Sequence, residues 1–248
     1  MAVRVRANEA ELAAASLVDR FPGGLEEREL DSDVELVVFT DAAGEADVRE
    51  AFADVRSEPV APGWEDRWKE FHRPVRAGGL WIGPPWIDPP VAEPVVVVDP
   101  GRAFGTGAHP TTRACIELLS TLERGSLLDA GCGSGVVSVA AVRLGFAPVV
   151  AVDLDEVAVE VATETARSNE VAIEVSRADV LRDELPAVDV VVANIELRIV
   201  ERLLERATAR VAVTSGYLEA QTPEASRWAR ADRLELEGWA ADVLAIRH

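Results

Sequence analysis

The stretch DAGCGSGVVSVA, Asp129–Ala140, sets glycines at 131, 133 and 135 between the apolar run SLLDA (126–130) and an apolar-periodic segment. A glycine-rich turn that leaves a strand and opens a helix lets the backbone approach a nucleotide closely. A dinucleotide fingerprint, G-x-G-x-x-G, counted from Gly131 and Gly133 would need its third glycine at position 136, which is Val136 here. The chain instead reads D-x-G-x-G-x-G, with Asp129, Gly131, Gly133 and Gly135. With no pyrophosphate to cradle, the amino-acid tail of a nucleoside can lie along the glycine backbone. That spacing is the pattern of S-adenosylmethionine binders. Asp129, at the strand end, is positioned to order the loop or to engage a cationic amino group.

Outward from this loop the chain alternates strand-like and helix-like segments. Strand signals fall at 95–99, 126–130, 148–153, 173–176, 188–194 and 210–215, and helix signals at 111–123, 136–144, 155–168, 196–209 and 219–230. The central strands are continuous Val-rich runs, as expected where helices cover both faces of a parallel sheet. RLELEG (233–238) and ADVLAIR (241–247) are too close for a crossover helix and predict an antiparallel hairpin. The fold class expected is α/β, a Rossmann-like, mostly parallel sheet with an antiparallel last strand, preceded by a small α+β domain.

Three residues at strand ends extend the reading. Asp153 closes the next strand, 20 residues past Gly133, where a carboxylate can accept from both ribose hydroxyls, the plainer alternative being a helix cap. Asp179 follows the third core strand and could accept from an adenine amino group or simply be solvated. Asn194 ends VDVVVAN at the carboxyl edge of the sheet, where open α/β sheets bind ligands. Its carbonyl can accept from an incoming amine and its amide can donate to a cofactor, which makes it the catalytic candidate. Upstream, DPGRAFGTGAHPTTRACIELL (99–119) combines a glycine-containing loop with Thr111 and Thr112, whose hydroxyls can cap the following helix.

Residues 1–58 read as a separate β-α-β-β-α module. VRVRA alternates like a strand, Asn8 could cap a helix with Leu12, Ala15 and Val18 on one face, and LEEREL and VELVVFT make two further strands before a second helix. Residues 59–93, rich in Pro, Gly and Trp, read as a stiff connector, with Trp64 and Trp68 on one face of a short helix. Residues 94–248 hold the alternating domain.

A net charge of −19 argues against direct nucleic-acid binding, which needs clustered Lys and Arg, and accommodates a basic partner more easily. No apolar run reaches the roughly 18–20 residues that span a bilayer, and the first residues carry acids early without an apolar signal core. A soluble cytoplasmic protein, with no membrane association, is the expectation. Cys115 and Cys132 sit in apolar surroundings without metal-ligand spacing, and with three histidines in the chain no metal site is indicated. Cys132 reads as a small side chain fitted into a tight turn rather than a nucleophile.

The string DPGRAFGTGAHPTT, followed by LLDAGCGSGVVSVAAVRLG, AVDLDEVAVEVATETARSN and VVANI, closely resembles the ribosomal protein L-eleven methyltransferases, which are class I S-adenosylmethionine enzymes. The resemblance runs from the tryptophan-rich segment to the C-terminus, and AFGTG-x-HPTT is its specific part. It implies cofactor contacts at Thr112, Gly131, Asp153 and Asn194, a seven-stranded sheet with the last strand antiparallel, and a small N-terminal domain that recognises the substrate protein. The chain departs from the family pattern after Asn194, running IELRIVERL where many members have a Leu-Ala-containing segment. The implied activity is methyl transfer from S-adenosylmethionine to lysine or N-terminal amino groups of that ribosomal protein, free or on the ribosome. Alternatives are a methyltransferase of the same fold acting on another protein or a small molecule, and a non-catalytic cofactor-binding ribosome-assembly factor. A nicotinamide enzyme ranks behind these because of Val136. No dedicated base stands out; His109 could accept a proton or have a structural role in its loop.

Overall fold

The structure, a computed structural model, describes residues 2–6, 10, 13–14, 17, 26–30, 33–38, 42–52, 54–57, 72–99 and 107–247. They fall into two compact units divided between residues 67 and 68. In the first unit, β1 (Ala2–Arg6), β2 (Glu26–Leu30), β3 (Asp33–Val37) and β4 (Val55–Arg56) form an antiparallel sheet in the order β2-β3-β1-β4, with α1 at Ala42–Ala51. Val3 lies opposite Leu36, and both are buried with Val34, Val48 and the helical residues Ala10, Ala13 and Leu17. These three lie at spacings of three and four, one face of a helix. Asn8, Leu12, Ala15 and Val18 lie outside the described residues.

The second unit is built on a seven-stranded sheet. Its strands are β8 (Leu127–Ala130), β9 (Val149–Asp153), β10 (Glu174–Arg177), β11 (Val190–Asn194), β12 (Val211–Leu218), β13 (Trp228–Leu236) and β14 (Trp239–Ile246), in the order β10-β9-β8-β11-β12-β14-β13. Pairings from β10 to β12 are parallel, and β14 runs antiparallel to both its neighbours, as its hairpin with β13 requires. The sheet is the Rossmann-like one expected. The strand order reverses between β8 and β11, so the carboxyl ends of those two strands flank the crevice at the switch point.

Among the described residues four helices cover this sheet, and their boundaries have local causes. At α2 (Pro110–Thr121), His109 caps the first turn and Pro110 occupies a position where a missing amide costs nothing. α3 (Val136–Leu144) buries most of its length against the sheet and stops at Gly145 in the left-handed region. α4 (Glu156–Ser168) starts where the Asp155 carboxylate accepts from the Val157 amide at 2.9 Å, and it buries Ala158, Ala162, Thr165 and Ala166, the spacing of one helical face. α5 (Leu197–Arg206) buries Val200, Leu203 and Leu204. With β8 and β11 almost wholly buried between layers, side chains such as Leu127 and Leu128 each contribute roughly 1.5–3 kcal/mol through removal from water.

Two segments differ from the sequence reading. The Pro/Trp-rich stretch is part sheet: β5 (Val75–Ala77) and β6 (Leu80–Gly83) form a hairpin, and β6 pairs in parallel with β7 (Val95–Val97). Leu80 and Ile82 join one core with Ile116 and Val136, so a short continuous apolar run outweighs the neighbouring prolines there. The strand at 95–99 thus belongs to this small sheet rather than the large one. Asn169 ties it to α4, accepting from the Val97 amide at 2.8 Å and donating to the Val97 carbonyl at 2.7 Å. The helix expected at 219–230 does not form. Pro223 has no amide to continue a helix, and Trp228 starts β13, burying its indole and donating Nε1–H to the Leu204 carbonyl at 2.9 Å. Trp64, Trp68 and residues 100–106 of the glycine-containing loop lie outside the described residues.

Candidate functional site

A cleft of about 500 Å³ opens over the carboxyl ends of β8, β9 and β11. Of the residues singled out in sequence it is lined by Thr112, Gly131, Gly133, Asp153 and Asn194, and also by Asp129, Cys132 and His109. Residues separated by 82 positions therefore meet in one hollow, and Asn194 Nδ2 donates to Thr112 Oγ1 at 3.3 Å.

The glycine loop is held by backbone and carboxylate. The amides of Gly131 and Cys132 both donate to the Val152 carbonyl, at 2.8 and 3.0 Å, which fixes the end of β8 to β9. Asp153 Oδ2 accepts from the Gly133 amide at 2.9 Å, and its Oδ1 accepts from the Asp155 amide at 3.0 Å. Each carboxylate oxygen retains a lone pair, enough to accept from a vicinal diol. Gly135, with φ of +77°, lets the loop turn into α3, and a Cβ there would stand 3.0 Å from the Cα and Cβ of Ala162. The third glycine thus serves close packing of α3 on α4, while Val136 is buried, 3% exposed, where a dinucleotide binder would carry its glycine.

Asp129 is 2% exposed and accepts from Ser138 Oγ at 2.5 Å. Burial pushes its carboxyl up to about 6, the Ser138 hydrogen bond opposes, and the charge of Asp153 adds to the rise. Burial likewise pushes the thiols of Cys132 and Cys115 well above their ordinary range, so both are held as thiols at neutral pH. His109 Nδ1 lies 2.7 Å from Thr111 Oγ1 and accepts from the Thr111 amide at 3.4 Å, so that nitrogen is engaged in the α2 cap. Its ring stands edge-on to Trp239, centroids 5.0 Å apart.

The rest of the lining includes Asn194, Ile195 and Glu196, with Gly216 and Trp239, and Ile195 packs against Gly131, where a Cβ would stand 2.5 Å from the Ile195 Cγ2. Gly216 sits in a β-bulge of β12 at φ of +98°, and a Cβ on it would fall 2.1 Å from the Ile195 carbonyl oxygen. The Ile195 amide donates to the Ser215 carbonyl at 3.2 Å. Backbone contact between the bulge and the turn after β11 therefore fixes where Asn194 ends up. The sequence reading missed Ile195, Gly216 and Trp239; only the lone glycine in the strand VAVTSGYL was a visible signal, of a bulge or a close backbone approach.

Asp179 is not among the lining residues. Its carboxylate accepts from the Leu181 amide at 2.9 Å and pairs with Arg182 at 3.4 Å, organising the turn after β10.

A family model described as "Ribosomal protein L11 methyltransferase (PrmA)" matches residues 30–241. A ribosomal protein L11 methyltransferase from an Exiguobacterium species is 38% identical over 186 residues, covering 70% of this chain and 60% of that protein. One from Staphylococcus aureus is 40% identical over 152 residues, covering 58% of this chain and 49% of that protein. The chain thus spans about half to three-fifths of the length of these curated relatives. Among solved structures, the ribosomal protein L11 methylase of Lactobacillus delbrueckii subsp. bulgaricus is similar with a TM-score of 0.61 and 26% identity, covering 68% of this chain and 96% of that one. Carrying the glycine loop, Asp153 and Asn194 at one sheet edge, and matched over most of its length, the chain belongs to the ribosomal protein L11 methyltransferase family.

Proposed function

We propose that the chain transfers methyl groups from S-adenosylmethionine to amino groups of ribosomal protein L11, on lysine side chains, the N-terminal amine, or both. The observation that carries this reading is the convergence of the glycine loop, Asp153 and Asn194 on one cleft, in a chain of this family. The cleft volume lies within the range of ordinary small-ligand sites, about 300–1,000 Å³. Its residues fit the cofactor: close-approach glycines for the amino-acid tail, a buried Asp129 beside it, and Asp153 with free lone pairs for the ribose hydroxyls. When bound, S-adenosylmethionine supplies a methyl carbon on a sulfonium, already activated for in-line displacement.

The chain's own task is then positioning and desolvation. A lysine amine, with an ordinary pKa near 10.4, must lose a proton before it can attack. Val136, Val137, Ile195 and Trp239 give the cleft an apolar lining, which favours the neutral amine. Thr112 holds the Asn194 amide by accepting from its Nδ2, leaving the carbonyl oxygen to accept from the amine and aim its lone pair. In the same reading residues 1–58 recognise the substrate protein, and the chain works in the cytoplasm. No described helix is long and apolar enough to cross a membrane.

The test is calorimetric binding of S-adenosylmethionine together with the intact mass of L11 after incubation with the chain and cofactor. Stepwise methyl increments on L11 are the expected result. A second reading, a different amine-bearing acceptor, is favoured by one fact: the family match starts at residue 30, leaving the first strand and the helical residues after it outside. Cofactor binding with no change in the mass of L11, but turnover on a panel of small amines and other basic proteins, would support that second reading instead.

A further inference from the structure

Among the described residues three carboxylates line the cleft, and two of them are already engaged within the protein. Asp129 is buried against Ser138, and Asp153 is committed to the Gly133 and Asp155 amides. The third, Glu196, is exposed, and among the described residues no hydrogen bond or ion pair engages its carboxylate. It occupies the N-cap position of α5 without making a side-chain cap bond. Short side chains such as Ser, Thr, Asp and Asn do that capping well, and the Glu stem is longer than theirs. It sits two residues past Asn194, no more than about 7.6 Å away along the chain, and lines the same cleft. No Lys or Arg among the described residues lines the cleft to neutralise it.

We propose that Glu196 is a specificity-determining residue: it captures the incoming amine in its charged, ammonium form at the acceptor wall and so selects cationic acceptors over neutral ones. The inference rests on the cleft being a methyltransferase site with Asn194 on the acceptor side. Capture is non-covalent and precedes transfer. The ammonium pairs with the carboxylate, then gives its proton to water as it moves into the apolar lining beside Asn194. Glu196 is not the base, because a carboxylate next to an ammonium stabilises the charged form. A competing role is purely structural, since a negative charge at a helix N-terminus also stabilises the helix. The two roles separate by ligand charge: the structural role does not distinguish a charged from a neutral ligand.

The experiment titrates the full chain, saturated with S-adenosylhomocysteine, with two probes followed by NMR. One is Nα-acetyl-lysine methylamide; the other is its neutral Nε-acetylated counterpart. In wild type the charged probe binds more tightly. Glu196→Gln weakens the charged probe about two- to fivefold, in line with a partly exposed ion pair, and leaves the neutral probe unchanged. That difference disappears near 1 M salt, where the screening length falls to about 3 Å. Glu196→Lys weakens the charged probe further, about tenfold or more.

Equal binding of the charged probe to wild type and Glu196→Gln at low salt overturns the proposal. So does the absence of any preference for charge in wild type, or an equal loss for both probes. Transfer to L11 by the wild type is measured in parallel. Glu196-dependent binding without methylation of L11 keeps the capture role and removes the substrate reading; methylation without Glu196-dependent binding does the reverse.

Discussion

At Gly131 and Gly133 the cleft is walled by backbone, whereas at Asn194, Ile195 and Glu196 it is walled largely by side chains. The glycine-loop wall is cross-tied: its amides reach Val152 and Asp153, and its carboxylates are buried or hydrogen-bonded. The second wall has, among the described residues, one side-chain hydrogen bond, Asn194 to Thr112, a ring contact of Trp239 with His109, and an unengaged carboxylate at Glu196. A wall made of backbone recognises one ligand shape and tolerates little substitution. A wall made of side chains can be retuned for a different acceptor without disturbing the loop. Of the segment IELRIVERL (195–203), Ile195 and Glu196 stand on that second wall.

The largest effect is expected at Gly216, where the second wall also depends on backbone. Gly216→Val puts a branched side chain at φ of +98° and a Cβ within 2.1 Å of a carbonyl oxygen. A loss of about 3 kcal/mol or more is expected, a fall in Tm on the order of 10 °C, read by thermal unfolding. If Gly216→Val melts with the wild type, the bulge does not fix the turn after β11.

Asp129 sharpens the account of the first wall through pH. Its folded pKa, about 6, lies above the ordinary 3.8 because burial penalises the charge. The folded state therefore binds more protons than the unfolded state between those values, and this contribution to stability falls as pH rises from about 4 through 6. Asp129→Asn keeps an acceptor for Ser138 and removes the titration. It is expected to gain about 2–3 kcal/mol relative to wild type on going from pH 4 to pH 8, measured by denaturant unfolding. A pH-independent difference would show that the carboxyl does not titrate in that window.

Asp153→Ala removes the carboxylate that accepts from the Gly133 and Asp155 amides and that is proposed to accept from the ribose hydroxyls. Cofactor affinity is expected to fall about a hundredfold by calorimetry, with methyl transfer recovering at high cofactor concentration. Asn194→Ala is expected to lower kcat about ten- to a hundredfold while the cofactor Kd stays within about threefold, the signature of the acceptor wall. Equal losses in both would place Asn194 on the cofactor alone. Asp179→Ala is the smallest effect: with its carboxylate outside the cleft lining and turned to Leu181 and Arg182, cofactor affinity should change less than about threefold.

The first wall was legible in sequence because glycine spacing and strand-end acids are dictated locally. Val136 ruled out the dinucleotide pattern, and the Val-rich runs and the close-set final strands gave the sheet and its hairpin. The second wall was only partly legible. Asn194 announced itself at a strand end, but Trp239 and Gly216 reach the cleft through the pairing of β12 with β14, a long-range register that no local pattern encodes. Asp179, read as an adenine acceptor or a solvated residue after the third core strand, lies outside the cleft lining and binds the Leu181 amide and Arg182. The region 219–230 misled because EAQTPEASRWAR is polar and helix-compatible at most positions. Pro223 and the buried indole of Trp228 override that propensity.

The most direct test of the two-wall account follows the intact mass of L11 over time with wild type and Asn194→Ala, each shown saturated with S-adenosylmethionine in the same samples. The account predicts stepwise methyl increments with wild type and a ten- to a hundredfold slower series with the variant. Increments at the same rate with both proteins, or none with saturated wild type, would contradict it.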